Sequence, residues 1–280
     1  MTFYPDVEEG IVEVGPYRVS VYDSRPDRTD RVVVLFHGTG GSAESNFWAL
    51  FPMLAMRARV VAFDFVDPED PERGRDDYVA QALGVVQSIA PDARVDVVGY
   101  SFGAVVAASF AARHPHHVRS LTLVAGWLKT DAHQLFRNEL WWRLRESDPE
   151  SLARFTVFTT YSPQFINSRL PHELDGLIDQ VRRGRDRAPK MKFNRSVDIA
   201  DEASEISAPT LVIACTRDQM VPLRHSQLVF GAIPDARFAS VDAGHGVMTE
   251  RPSEVFAMID AFQRDPHRIA SGAVLENSHA

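Results

Sequence analysis

Three residues of this chain have the types and settings for acyl-group chemistry: Ser101, Asp218 and His245. Ser101 lies in Gly99-Tyr100-Ser101-Phe102-Gly103, after a β-branched run (Val95, Val97, Val98) and before an alanine-rich segment (Ala104, Ala107, Ala108). Strand, G-x-S-x-G and helix in direct succession make a tight turn with no room for side chains at either glycine, so that the serine projects at the mouth of the sheet. A serine hydroxyl is a poor nucleophile until a base removes its proton. An imidazole does this near neutral pH, best when a carboxylate fixes its tautomer and stabilises the imidazolium. The apolar stretch Ala208 to Ala214 runs on to Asp218, and Ala236 to Val241 runs on to His245. In a parallel sheet the loops past such strand ends share one edge with Ser101. Each residue also has a plainer reading. Asp218 would cap a helix beginning near Pro222, and His245 would be a turn residue between two glycines. Asp242 is a rival acid, although it shares a strand end with His245 and would have to fold back.

The elements that must position these residues follow from hydrophobic patterning. Ile11 to Asp23 alternates about Gly15-Pro16 and predicts a hairpin. Arg31 to Phe36 and Arg59 to Phe65 are continuous apolar runs of the kind found in strands covered on both faces. The first ends in His37-Gly38-Thr39-Gly40-Gly41-Ser42, which has neither the Gly-Lys-Ser/Thr of a phosphate loop nor a G-x-G-x-x-G fingerprint. What remains is a loop free to bring backbone N–H groups to a substrate oxygen, that of Thr39 first. Helices are expected over Asn46 to Arg57, Tyr78 to Ala90, Leu223 to Phe230 and Arg251 to Arg264, with a further strand at Val118 to Ala125. VDPEDPERGRDD, from Val66, reads as a solvated loop, and Ser271 to Ala280 as a frayed tail.

The strand–helix alternation expected of a parallel sheet breaks at Gly126 and resumes at Ala208. Residues 127–205 carry aromatic-rich helical segments and predict a helical cap inserted into a core made of 1–126 and 206–280. Its aromatics imply a mainly apolar pocket. Trp127, directly past a strand end, is placed at the pocket wall, with Trp141, Trp142 and Phe158 as further substrate-binding candidates. The run Arg182, Arg183, Arg185, Arg187, Lys190 and Lys192 reads as a solvated face. Its alternative is a surface that meets an acidic substrate or a carrier protein.

Composition narrows the classes. The 280 residues carry a net charge of −8, which argues against a nucleic-acid surface. The longest apolar run is too short to span a bilayer, and the N-terminal residues lack the basic and apolar regions of a secretory signal. The single Cys215 excludes an intrachain disulfide. A cytoplasmic location is therefore expected, with a small-molecule substrate and no cofactor. His114, His116 and His117 sit about Pro115 without fixed facial spacing, so no metal site is expected there. The oligomeric state stays open.

HGTGGS at 37–42, GYSFG at 99–103, TLVIACTRDQMVP at 210–222 and DAGHGVMTERP at 242–252 together resemble the α/β-hydrolase superfamily, over roughly Val32 to Arg264. The order Ser, Asp, His is the order of that superfamily. The resemblance implies an α/β fold with a mostly parallel, doubly wound sheet and an oxyanion hole made by the N–H groups of Thr39 and Phe102. It also implies a capped esterase-, lactonase- or thioesterase-like enzyme acting through an acyl-enzyme. C–C bond hydrolysis, acyl transfer, perhydrolysis and a non-catalytic receptor are the alternatives. A serine at 101 disfavours dehalogenase and epoxide hydrolase chemistry, whose relatives carry aspartate there. DFVDPEDPERG, from Asp64, departs from the glycine-bearing loop common in the family, so no role is carried over to it.

Overall fold

The computed structural model describes residues 6–25, 27, 31–69 and 74–275. Eight strands form one sheet: β1 (Glu8–Val14), β2 (Tyr17–Asp23), β3 (Val32–Phe36), β4 (Arg59–Phe63), β5 (Val95–Tyr100), β6 (Val118–Val124), β7 (Thr210–Cys215) and β8 (Ala236–Val241). Their spatial order is β1-β2-β4-β3-β5-β6-β7-β8. β1 and β2 form the predicted antiparallel hairpin and β2 joins β4 antiparallel, while all pairs from β4 to β8 are parallel.

The continuous apolar runs arise because both sheet faces are covered. Along β3, Val32, Val34 and Phe36 enter one core, whereas Val33 and Leu35 enter the other. The first core is closed by α3 (Gly74–Ile89) and α4 (Phe102–Arg113), through Tyr78, Ala82 and Phe110 among others. The second is closed by α2 (Leu50–Ala55) and α13 (Pro252–Arg264), through Phe51, Leu54 and Phe262. Each fully buried Val, Leu or Phe contributes about 1.5–3 kcal/mol relative to exposure. After β3 the chain visits β4 on one side and then β5 on the other. The crevice between the carboxyl ends of β3 and β5 is thus the switch point at which ligands bind in open α/β sheets.

Between β6 and β7 the chain forms α5 (Ala132–Ser147), α6 (Pro149–Thr160), α7 (Pro163–Asn167), α8 (Pro171–Arg183), α9 (Ala188–Phe193) and α10 (Ala200–Ser204). The only extended pairing described in this stretch is an isolated bridge between Lys129 and Asp198. The predicted single helix over Asn46 to Arg57 is two short ones, α1 (Ala43–Phe47) and α2, and it starts earlier. The remaining helices are α11 (Leu223–Ala232) and α12 (Val247–Glu250).

The expectation of a frayed C-terminal tail is corrected over its described part. Phe238 N–H donates to Ala273 O at 2.9 Å and Leu275 N–H to Phe238 O at 2.7 Å, so this segment satisfies the open edge of β8. Residues 276–280 of that tail, and 70–73 of the charged loop, lie outside the described residues. Among the described residues no helix is long and apolar enough to cross a membrane.

Candidate active site

Ser101 occupies the turn between β5 and α4 with φ +56°, a left-handed conformation that costs a non-glycine residue about 1–3 kcal/mol. The neighbouring glycines are required by close approach. A Cβ on Gly99 would lie 2.5 Å from Gly103 O, and one on Gly103 would lie 2.1 Å from Phe36 O. Ser101 N–H donates to Val124 O at 2.8 Å, which ties the turn to β6.

His245 stands opposite, its Nε2 2.8 Å from Ser101 Oγ and its Nδ1 2.6 Å from Asp218 Oδ2. With Nδ1–H donating to the carboxylate, Nε2 is left to accept from the serine hydroxyl. Asp218 fulfils its plainer reading as well. Its Oδ1 accepts the N–H groups of Met220 (2.7 Å) and Val221 (2.8 Å), which fixes the turn before α11, while Oδ2 takes the imidazole. All three side chains are buried. Asp242 points elsewhere: Arg217 Nε and Thr216 Oγ1 donate to its Oδ1 at 2.6 and 2.9 Å.

The His245 loop is held by two residues that patterning did not single out. Tyr100 OH donates to His245 O at 2.7 Å. Glu250 accepts from Gly244 N–H (3.1 Å), Ser162 N–H (2.9 Å) and Ser162 Oγ (2.6 Å), joining the loop to the segment after α6. Tyr100 belongs to the serine motif itself, but nothing in its spacing says where its hydroxyl goes.

The His37–Ser42 loop lies beside Ser101. Gly38 N–H donates to Asn46 Oδ1 at 2.7 Å, and Asn194 Nδ2 donates to Thr39 Oγ1 at 2.9 Å. His37 is fully buried under the loop. Its Nδ1–H donates to Gly38 O at 2.8 Å, and its Nε2 accepts from Phe65 N–H at 3.0 Å. Burial, helped by the nearby Lys190 charge, pushes its pKa down to about 4. Phe102 is the first residue of α4, so its N–H has no intrahelical carbonyl. Its ring packs edge-on against Tyr78 and Phe193 in the core.

A cavity of about 620 Å³ opens over Ser101 and His245, bounded by this loop and by the helices between β6 and β7. Trp127 and Trp141 line it, and Trp127 Nε1 donates to Thr130 Oγ1 at 3.0 Å. Trp142 and Phe158 do not line it. Trp142 is half-buried behind Trp141, edge-on at 5.1 Å, and Phe158 is 59% exposed. Each follows, by one residue, a side chain that is buried, and consecutive helical side chains point about 100° apart. Tyr161, Thr156 and Leu177 stand at the wall instead.

The lining is not apolar throughout, since Arg137, Arg187, Gln134, Asn138 and Asn194 reach it beside the aromatic side chains. Nor is the basic run a solvated face throughout. Arg185 Nη2 bonds Asp64 Oδ2 at 2.6 Å, and Lys190, buried, bonds Asp67. Arg187 turns into the cavity. Among the described residues no group of three or more His, Cys, Asp or Glu side chains is arranged to hold a metal ion.

Comparison with known proteins agrees with this architecture. The chain is 31% identical over 240 residues to the pyrrolizixenacetamide deacetylase of Xenorhabdus hominickii, covering 82% of this chain and 90% of that protein. It is 28% identical over 261 residues to a pimeloyl-[acyl-carrier protein] methyl ester esterase of Neisseria meningitidis serogroup B, covering 84% and 93%. An alpha/beta hydrolase from a Medee basin deep-sea metagenome superposes with a TM-score of 0.80 at 19% identity, over 91% of this chain and 97% of that one. Residues 31–252 match the family described as the alpha/beta hydrolase fold, and the chain belongs to that family as an enzyme of its class.

Proposed function

We propose that the protein is a serine hydrolase that cleaves an ester, lactone or thioester of a small metabolite through an acyl-enzyme. The observation that carries this reading is the unbroken row Ser101 Oγ, His245, Asp218 at the floor of a cavity of metabolite size. Ser101 Oγ attacks the carbonyl carbon as its proton passes to His245 Nε2, and Asp218 stabilises the imidazolium. The carbonyl oxygen, now negative, is received by the N–H groups of Thr39 and Phe102, each donor lowering the barrier by about 3 kcal/mol. As the tetrahedral intermediate collapses, the bond to the leaving oxygen or sulfur breaks and His245 gives it the proton. Water then enters, loses a proton to His245 and releases the acid, returning Ser101 to its hydroxyl form. No metal or cofactor is called for at any step.

In this reading residues 127–205 are a cap, and 1–126 with 206–280 form the core that carries all three reacting groups. The deacetylase and methyl ester esterase among the relatives fit acyl transfer to water. The test is labelling with a fluorophosphonate probe, together with hydrolysis of 4-nitrophenyl esters. Label at Ser101 that disappears in Ser101→Ala, along with esterase activity, is the expected result. Labelling that survives the substitution overturns the assignment.

A further inference from the structure

Two cations in the cavity lack partners among the described residues. Arg137, on α5, and Arg187, just before α9, both line the space above Ser101. Arg137 Nε is out of reach of solvent and has no hydrogen-bond partner. The carboxylate whose charge Arg137 feels is Asp218, already engaged by His245 and by two backbone N–H groups. Arg187 feels Tyr161, and among the described residues no carboxylate pairs with it. The two guanidinium groups also repel each other. Burial lowers the pKa of Arg137 to about 10, and burial also moves that of Arg187 downward, the direction expected of cations short of compensation.

Three neighbouring cations are treated differently. Arg185 meets Asp64, Lys190 meets Asp67, and Arg145 meets Asp186 at 2.7 Å. Arg187 lies directly on the loop that carries Thr39, because a Cβ at Gly40 would fall 2.4 Å from Arg187 Nε. Asn194, which holds Thr39, has an unpartnered buried Oδ1 in the same wall. Both side chains are half-buried, and a partly desolvated cation without a partner carries a cost in the empty protein that is offset once an anion enters. A guanidinium offers a fork of donors matched to the two oxygens of a carboxylate.

We propose that Arg137 and Arg187 form an anion subsite of the cavity, and that the substrate carries a carboxylate held there while its scissile carbonyl lies at Ser101. The proposal rests on the serine-hydrolase reading for its geometry and narrows the substrate to an acidic ester, lactone or thioester, in place of the apolar metabolite that the aromatics suggested. Where the substrate is the monoester of a dicarboxylic acid, hydrolysis releases the dicarboxylic acid and an alcohol.

The experiment compares the mono-4-nitrophenyl ester of a short dicarboxylic acid with the 4-nitrophenyl ester of the neutral monoacid of equal chain length. The expected result is that wild-type protein prefers the acidic ester by at least tenfold in kcat/KM. Arg137→Gln and Arg187→Gln should bring the ratio of the two towards one, and Arg187→Lys should restore part of it. A wild-type ratio at or below one, or equal proportional loss on both esters in the variants, overturns the proposal. Binding of the free dicarboxylate to Ser101→Ala protein, followed by the fluorescence of Trp127 and Trp141, tests the subsite without turnover. If neither ester is hydrolysed yet the dicarboxylate binds and Arg187→Gln weakens it tenfold, the subsite stands and the hydrolase reading falls. If inorganic phosphate binds more tightly than the dicarboxylate, the carboxylate assignment is wrong.

Discussion

His37 makes the stability of this protein depend on pH in a calculable way. Its ring is neutral by construction: Nε2 must accept from Phe65 N–H, so the proton sits on Nδ1 and is given to Gly38 O. Protonation would put a second donor against the Phe65 N–H inside a fully buried site. The folded-state pKa is accordingly lowered to about 4 from the ordinary 6.5. Above pH 6.5 both folded and unfolded states hold a neutral ring, and the group adds no pH dependence. As pH falls below 6.5 the unfolded chain takes up the proton first, so stability falls by up to about 1.4 kcal/mol per pH unit until the folded pKa is passed. Integrated to pH 5 this is about 2 kcal/mol, and to below pH 4 about 3 kcal/mol. The assay is equilibrium urea unfolding of wild type and His37→Gln at pH 7.5 and pH 5. The variant, lacking the ring's packing and its acceptor, should be the less stable at pH 7.5, and the gap should close by about 2 kcal/mol at pH 5. Every other group cancels in the difference between the two proteins. A gap that stays constant between the two pH values refutes the argument, because it would mean that the buried ring takes up its proton as readily as the unfolded one.

Asp218→Asn should lower kcat for a 4-nitrophenyl ester by about 10⁴, as expected when an imidazole is held in the wrong tautomer. Asp242→Asn, which loses only contacts with Arg217 and Thr216, should leave kcat within about threefold, and the opposite ranking would show that the wrong acid was chosen. Gly103→Ala should destabilise the protein by about 3 kcal/mol, since the added carbon meets backbone rather than a movable side chain; an unchanged melting temperature would contradict the packing at the turn. Trp127→Ala should reorder substrates by acyl size, with about 1–3 kcal/mol between competitors, whereas Phe158→Ala, at an exposed position, should leave the order intact. Measuring kcat/KM over a series of ester chain lengths separates the two, and proportional loss across the series in Trp127→Ala would place that ring in the core alone.

The strands were legible in the sequence because the sheet is covered on both faces. A strand such as Val32–Phe36 has no solvent side, so its signal is an unbroken apolar run. Ser101, Asp218 and His245 were legible for a related reason. Each stands just past such a run, and a parallel sheet delivers every strand end to one edge. The pairing of Leu275 with Phe238 left no trace, because backbone hydrogen bonds along an edge depend on no side-chain type. Trp142 and Phe158 were misplaced because aromatic content gives the total apolar surface of a helix without its rotation about its own axis. That rotation is set by the neighbours, which for α5 and α6 are one another and α8, not the sheet.

The basic run exposes a different limit. Charged residues default to the surface because burying one without a partner is costly. The default holds for Arg183, which is exposed and bonds Asp179 at 3.2 Å within one helix. It fails for Lys190, whose burial is compensated by Asp67 from a distant part of the chain, a pairing that local spacing does not reveal. It fails again for Arg187, where no compensating group is found among the described residues. A half-buried cation without a partner is tolerated when selection acts on the bound state as well as on the empty one, and the partner is then the ligand. The pattern that separates Arg187 from Arg183, Arg185 and Lys190 is therefore visible only once the cavity is closed around it, and it points away from the surface and towards what the cavity holds.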